Sequence, residues 1–394
     1  MTAASRLRIG ISALYQASGG SLTNLAQLLR VWSEDGTLDR HDVILFASGR
    51  TCAALEREVG VEVLRRVSMH IMAGADRGLL PRMFAEQIEI LSLLRGERID
   101  VLLCPGNVIP FAAKVPTVAV FQNAAPFCES VTFRSLRGKR WLQFRLLGRL
   151  VRLTARRATR VIFISNFFRD LFVDRFRFPR ERGAVIPRAA GRSAAALRDA
   201  ALEESLGIRA PYVLSVSNVN PYKNLVELID GFAAAVRATA EGRQQLVIAG
   251  LVNFPWYLEK MHEAVRRGGL QDRVVFTGDL PHKSIESLLA GCESFVFSST
   301  CENCPTALIE ALSFGLPVAS SNVGVMPEIA GEAVRYFDPY SVDSIKDAFV
   351  ALMTDEQLRS DLAARARMRA TTFSTAADVA RRTLAVIESA ADGR

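Results

Sequence analysis

Two glutamates, Glu302 and Glu310, stand in the stretch TCENCPTALIEAL, and two cysteines, Cys301 and Cys304, form a CxxC pair beside them. The carboxylates suit hydrogen bonds from vicinal hydroxyls, as on a sugar or a ribose, whereas the thiols suit a metal or redox chemistry. A structural zinc site needs about four ligands, usually from two such pairs. Here Cys52, Cys104, Cys128 and Cys292 sit singly and His41, His70, His262 and His282 are dispersed, so no metal site is expected. A thioredoxin-like pair is the other possibility, since the CxxC follows the strand-like SFVFSS and precedes a helix. The rest of the chain has a different layout, and two small residues filling a turn is the favoured reading.

Pro305 suits the first turn of a helix, and TALIEALSF continues it to a stop near Gly315. Glu302 then lies before the helix and Glu310 about a turn and a half inside it, so both can face one ligand across the helix start. The plainer account of either is an acid stabilised by the helix dipole. Lys223, in SNVNPYKNLVELIDGF, opens another helix whose apolar face is Leu225, Leu228, Ile229 and Phe232. A cation there is unfavourable unless an anion shares the site, and a phosphate would supply one; a solvated lysine is the plainer account. Gly19 and Gly20 precede a helix near Ser21, where small residues let an anion approach free N–H groups. Their spacing is not GxGxxG, so a dinucleotide fingerprint is absent.

Strand-like runs must position these residues. LRIGIS, DVILFA, DVLLCP, TVAVFQ and RVIFIS alternate with helical patterns, pause near PRAAGRSAAALRDAALEES, and resume as YVLSVS, QLVIAG, RVVFTG, SFVFSS and LPVASS. Such near-continuous apolar strands mark parallel sheets covered on both faces. The 394 residues are enough for two domains. The boundaries are set at residues 1–190, a linker at 191–204, a second domain at 205–373, and a terminal helix at 374–394 capped by Ser374. Ligands of such sheets bind beyond the strand carboxyl ends, where the candidate residues fall.

Hydrophobic residues make up 49% and charged residues 23%, an ordinary globular profile. No run approaches the ~20 apolar residues of a spanning helix, and the N-terminus lacks a signal-like apolar segment. With six scattered cysteines and no disulfide framework, a reducing, cytoplasmic compartment is expected. Residues 134–160 hold ten basic side chains and no acidic one, which accounts for the whole net charge of +8. Arg145, Arg149, Arg152 and Arg156 recur at three or four along one helix face beside apolar residues such as Trp141, Leu142 and Leu146. A solvated basic face is the plain account, and an anionic membrane surface the sharper one. No nucleic-acid recognition motif accompanies the charge.

The glycine pair, the YKN around Lys223, VVFTG at 274–278, Glu-x7-Glu in ENCPTALIEAL, GLPVASSNVGVMPEI and the FS before the last helix together resemble the retaining glycosyltransferases of family four (group 1), across almost the whole chain. The resemblance implies an α/β GT-B fold: two doubly wound Rossmann-like domains facing a central cleft, the first acceptor-side, the second donor-side, with the final helix crossing back. It implies a hexosyltransferase that moves a sugar, with retention, from a nucleotide-diphosphate sugar to a hydroxyl of a glycan or lipid-linked acceptor, in polysaccharide or glycoconjugate biosynthesis. Neither a cofactor nor a metal is implied.

By position, Lys223 would bind the donor diphosphate, Glu310 the ribose hydroxyls and Glu302 the donor sugar. Gly20 and the backbone at Thr306 would approach the phosphates. Three departures stand out: Asn218 where the family often has Arg, Pro305 where it often has Gly, and Asn123 where many members place a His near the reacting sugar. Asn hydrogen-bonds hydroxyls but is no base. Front-face displacement, in which the leaving phosphate takes the acceptor proton, tolerates that loss. The alternatives are a GT-B-like sugar-nucleotide epimerase or phosphorylase, and a non-catalytic scaffold that binds glycan or membrane. An acceptor carried on lipid would place the protein peripherally at the inner face of a membrane.

Overall fold

The computed structural model describes residues 6–14, 20–128, 138–190, 196–239 and 243–393. It divides into two compact units, each built on a parallel sheet. The first contains Met1–Pro126, Lys139–Ala189 and Ser374–Arg394, and the second Phe127–Gly138 and Ala190–Phe373.

In the first unit, β1 (Arg8–Ala13), β2 (Asp42–Ala47), β3 (Ser68–Ile71), β4 (Val101–Cys104), β5 (Thr117–Phe121), β6 (Arg160–Phe163) and β7 (Gly183–Val185) run in the order β3-β2-β1-β4-β5-β6-β7. In the second, β8 (Tyr212–Val216), β9 (Gln245–Ala249), β10 (Val274–Gly278), β11 (Ser294–Phe297), β12 (Val318–Ser321) and β13 (Arg335–Phe337) run β10-β9-β8-β11-β12-β13. Each order reverses direction beside its first strand, the crevice where doubly wound sheets bind ligands.

Seven helices matter for function: α1 (Gly20–Glu34), α2 (Gly138–Arg157), α3 (Asn166–Phe176), α4 (Leu225–Ala238), α5 (His282–Gly291), α6 (Thr306–Ser313) and α7 (Ala376–Asp392). Ile9, Ile11, Val43, Leu45 and Leu103 form the first core with Leu25, Leu29 and Trp32 of α1. α7 adds Ala380 and Ile387 to that core. Its N-cap is Thr375, in a capping box with Asp378, rather than the expected Ser374. Both can accept from a backbone N–H, and the Asp three residues beyond Thr375 selects the later start. In the second unit Leu225, Leu228, Ile229 and Phe232 of α4 are all fully buried against Val213, Leu246 and Val296. Each such side chain contributes about 1.5–3 kcal/mol by burial.

Candidate active site

Lys223 and Glu302 meet at the strand reversal of the second sheet. β8 pairs with both β9 and β11, and the chain leaves β8 into a 3-10 turn, Pro221–Lys223, that leads to α4. Asn224 stops the turn in the left-handed region (φ 60) while its side-chain amide donates to the Pro339 carbonyl at 2.6 Å. The loop after β11 is tied to this turn: Ser298 Oγ donates to the Lys223 carbonyl at 2.7 Å and Thr300 Oγ1 to the Tyr222 carbonyl at 3.0 Å. Those bonds bring Lys223 Nζ to 2.5 Å from Glu302 Oε1, with each side chain 14% exposed. The ammonium also lies 5.4 Å from the Phe297 ring and 5.6 Å from the Tyr222 ring, a cation–π environment. Burial, the largest influence, works against its charge, but attraction to Glu302, with Tyr222 and the Glu302 hydrogen bond adding to it, raises the pKa above the ordinary lysine value.

The anion that Lys223 requires is therefore supplied by the chain itself. The resemblance assigns Lys223 to a diphosphate and Glu302 to a sugar; in this structure the two hold each other. Glu302 lies in the loop five residues past the end of β11.

Pro305 is the N-cap of α6, and no side chain caps that helix, whose first residue, Thr306, is exposed. Glu310 sits on α6 with 20% of its side chain exposed, 3.8 Å from Nε2 of His282 at the start of α5. Burial raises its pKa; His282 opposes the rise and Glu286 adds to it. His282 is a partner the sequence did not single out. Asn218 is exposed in the loop after β8. Gly250, at the end of β9, has φ 155, and a Cβ there would lie 2.3 Å from the Ser217 carbonyl oxygen. A glycine is thus required for the β9 end to pass the loop that carries Asn218.

The cysteine pair resolves differently from expectation. Cys301 forms a disulfide with Cys128, whose segment clusters with the second unit, while Cys304 is buried and outside any disulfide. The expected free turn-filling pair is corrected for Cys301. Its partner stands 173 residues away in sequence, beyond the reach of local spacing. Among the described residues no group of three or more His, Cys, Asp or Glu could hold a metal ion.

In the first unit Gly20 is the first residue of α1, and Gly19 lies outside the described residues. Asn123 follows β5; its amide N–H donates to Asn107 Oδ1 at 3.0 Å and its own Oδ1 accepts from the Ala125 N–H at 2.9 Å. It therefore shapes a turn while lining a cavity of about 420 Å³. Leu79, Met83, Phe111, Phe144, Leu147 and Leu150 make most of that cavity apolar, and the nearly buried Glu86 adds a carboxyl. Glu86 and Gln87 lie in a single π turn, Ala85–Glu89, a local widening often found at functional sites. Beside it, Gln122 Oε1 accepts from Ser21 Oγ at 3.0 Å and from Arg188 at 2.9 Å. Arg188 was missed because nothing in PRAAGR distinguishes it from a linker residue.

Residues 201–369 match the model of the glycosyl transferases group 1, and residues 18–190 that of glycosyltransferase family 4. The chain is 27% identical over 219 residues to the O-antigen chain mannosyltransferase B of Escherichia coli, a match covering 54% of this chain and 56% of that protein. It is 31% identical over 194 residues to the 2-deoxystreptamine N-acetyl-D-glucosaminyltransferase of Streptomyces fradiae, covering 48% of this chain and 45% of that one. The match thus spans about half the length of these curated relatives. Among solved structures, a glycosyltransferase from Rickettsia africae superposes with a TM-score of 0.75 at 13% identity, covering 99% of this chain and 100% of its own. That likeness speaks for the GT-B fold.

Proposed function

The chain belongs to the family-four, group 1 glycosyltransferases, and from that premise we propose that it transfers a hexosyl group, with retention, from a nucleotide-diphosphate sugar to a glycan hydroxyl. The observation that carries the reading is the Lys223–Glu302 pair, buried at the strand reversal of the second sheet next to the uncapped start of α6. Lys223 exchanges Glu302 for the donor diphosphate, freeing that carboxylate for a sugar hydroxyl. Glu310 accepts from the ribose hydroxyls. The Thr306 backbone donates toward the phosphates, and Asn218 contacts the donor where the family often has Arg. The anomeric C–O bond to phosphate breaks as the acceptor oxygen bonds to the same face. The acceptor proton passes to the departing diphosphate, so neither a metal nor a side-chain base is needed, and Asn123 serves on the acceptor side by hydrogen bonding alone.

The acceptor is proposed to be a lipid-linked glycan in polysaccharide or glycoconjugate synthesis. The largely apolar cavity beside Asn123 supports an acceptor with an apolar portion. On the segments that line it Leu80, Phe84, Leu142 and Leu146 are exposed, and α2 carries the basic residues Arg145, Arg149, Arg152 and Arg156. Apolar side chains next to basic ones suit a peripheral position on an anionic membrane. Among the described residues no helix is long and apolar enough to cross a membrane.

The test is a panel of UDP-, GDP- and ADP-hexoses. One donor at ~100 times its dissociation constant should add about 2.7 kcal/mol of stability. The same donor should then be hydrolysed or transferred, with the anomeric coupling of the product showing the donor's configuration. No stabilisation and no turnover with any donor would leave the scaffold reading; an inverted product would remove the retaining mechanism.

A further inference from the structure

The first unit has a second cavity that shares no lining residue with the one beside Asn123. Its volume is about 430 Å³, and five arginines line it: Arg149, Arg152 and Arg156 from α2, and Arg177 and Arg182 from the chain leaving α3. No acidic side chain lines it.

Local structure makes the convergence a built feature. The α2 arginines, spaced by three and four, share one helix face. Arg177 is the C-cap of α3, held in the left-handed region at φ 52, where a non-glycine residue is uncommon. Arg182 donates to the Ala155, Arg156 and Ala158 carbonyls, so it closes the C-terminal end of α2 and fixes that end against the chain beyond α3. Two guanidinium groups rest on aromatic rings, Arg152 at 5.4 Å from Phe176 and Arg182 at 5.9 Å from Phe178. Among the described residues Arg149, Arg152, Arg156 and Arg177 form no salt bridge. Burial lowers the Arg182 pKa, repulsion from Arg160 lowers it further, and Glu181 alone opposes them. Five like charges around one cavity repel at short range unless an anion shares the space. Guanidinium forks match phosphate oxygens in pairs, and the cavity greatly exceeds the ~30 Å³ share of one water.

We propose that this pocket binds a phosphate-bearing group, with Arg149, Arg152, Arg156 and Arg177 contacting its oxygens and Arg182 holding the pocket's shape. The phosphate comes from a lipid headgroup or from a soluble phosphorylated molecule. The proposal does not depend on glycosyl transfer, and it names a discrete site where the membrane reading needs only a charged face.

Calorimetric titration of the full chain with inorganic pyrophosphate tests it. Two binding events are expected. Lys223→Ala removes the one belonging to the nucleotide-sugar site, so failure of the transfer reading would remove only that event. Arg152→Gln combined with Arg156→Gln weakens the other by about 10- to 100-fold. Arg57→Gln combined with Arg95→Gln, an equal charge loss elsewhere on the same unit, leaves it unchanged. If the Arg152/Arg156 variant melts below the wild type, Arg177→Gln, which leaves α2 intact, replaces it and is expected to lose about tenfold. Vesicles of phosphatidylcholine with phosphatidic acid that displace pyrophosphate identify a headgroup as the source; undisturbed binding identifies a soluble phosphate. Pyrophosphate binding that is absent from the Lys223→Ala protein, or equal in all the arginine variants, overturns the proposal.

Discussion

Lys223 Nζ and Glu302 Oε1 lie 2.5 Å apart, so the two residues assigned to different parts of one donor neutralise each other. Removing one partner of a buried ion pair typically costs about 3–5 kcal/mol, because the other charge is left without compensation. Lys223→Ala should therefore lower the unfolding midpoint measurably as well as turnover by roughly 10- to 1000-fold. Saturating donor should not restore the rate, since the lost contact strengthens as the diphosphate gains charge. Wild-type kinetics in a destabilised Lys223→Ala protein would show that the lysine serves only to neutralise Glu302.

The two glutamates separate by what they touch. Glu302→Gln should damage transfer more than nucleotide binding, because its carboxylate is assigned to the sugar. Glu310→Gln should weaken the free nucleotide, because its carboxylate is assigned to the ribose. Competition by a nucleoside diphosphate and turnover of the full donor measure the two effects; equal losses on both readouts in both variants would refute the division.

Burial raises the Glu310 pKa in the folded chain, so the folded state holds that proton more tightly than the unfolded state does. Stability from this group is then present below the ordinary carboxylate pKa, about 4.3, and is lost as pH rises through the raised folded value. At neutral pH the ionised side chain is a cost that His282, 3.8 Å away, only partly offsets. Glu310→Gln removes the cost. Its midpoint relative to wild type should climb from pH 4 toward neutrality in paired melts; a difference that stays flat with pH would contradict the shift.

Much of this layout was legible because central strands of a parallel sheet are apolar on both faces. DVILFA and QLVIAG announce β2 and β9, whose residues are almost all buried. The edge strands β3, β7 and β13 went unread: SMHI, GAV and RYF are short and half exposed, so no apolar run marks them. Glu302, Glu310 and Lys223 were found from their neighbours, but the ion pair joins residues 79 apart in sequence and only the fold shows it. His282 was invisible as a site residue for the same reason. The basic side chains at Arg134, Arg137, Lys139 and Arg140, part of the expected membrane segment, lie outside the described residues.

The Cys128–Cys301 bond ends one residue from Glu302 and closes a loop of 173 residues. Cross-links over long loops typically contribute about 2–4 kcal/mol by restricting the unfolded chain. Reduction with a phosphine should lower the midpoint, and Cys301→Ser should match the reduced wild type and then be insensitive to reductant. Cys304→Ser, at a buried cysteine outside the disulfide, should respond to reductant as wild type does. Peptide mapping without reduction gives the direct check, and free Cys128 and Cys301 thiols in the active protein would mean the bond has no part in the site.

The proposed membrane contact rests on charge and apolar surface lying on neighbouring segments of the first unit. Leu80 is 77% exposed and Leu142 62%, on the segments that border the apolar cavity, and the Arg145 guanidinium lies 4.7 Å from the Trp141 ring on the same helix. Each basic residue near an anionic surface contributes roughly 1 kcal/mol, and the contribution is screened by salt over about 10 Å at 0.1 M. Flotation should therefore recover the protein with vesicles containing phosphatidylserine at low salt, less at high salt, and little with neutral vesicles. Changing Arg145, Arg149 and Arg152 to Glu should abolish recovery, since three attractions become three repulsions. Changing Leu80 and Leu142 to Ser should leave a weaker binding that salt removes entirely, because insertion is lost and only the charge remains. Equal recovery on neutral and anionic vesicles, unaltered by the Glu variant when its melting curve is intact, would end the membrane reading and leave an acceptor that meets the enzyme in solution.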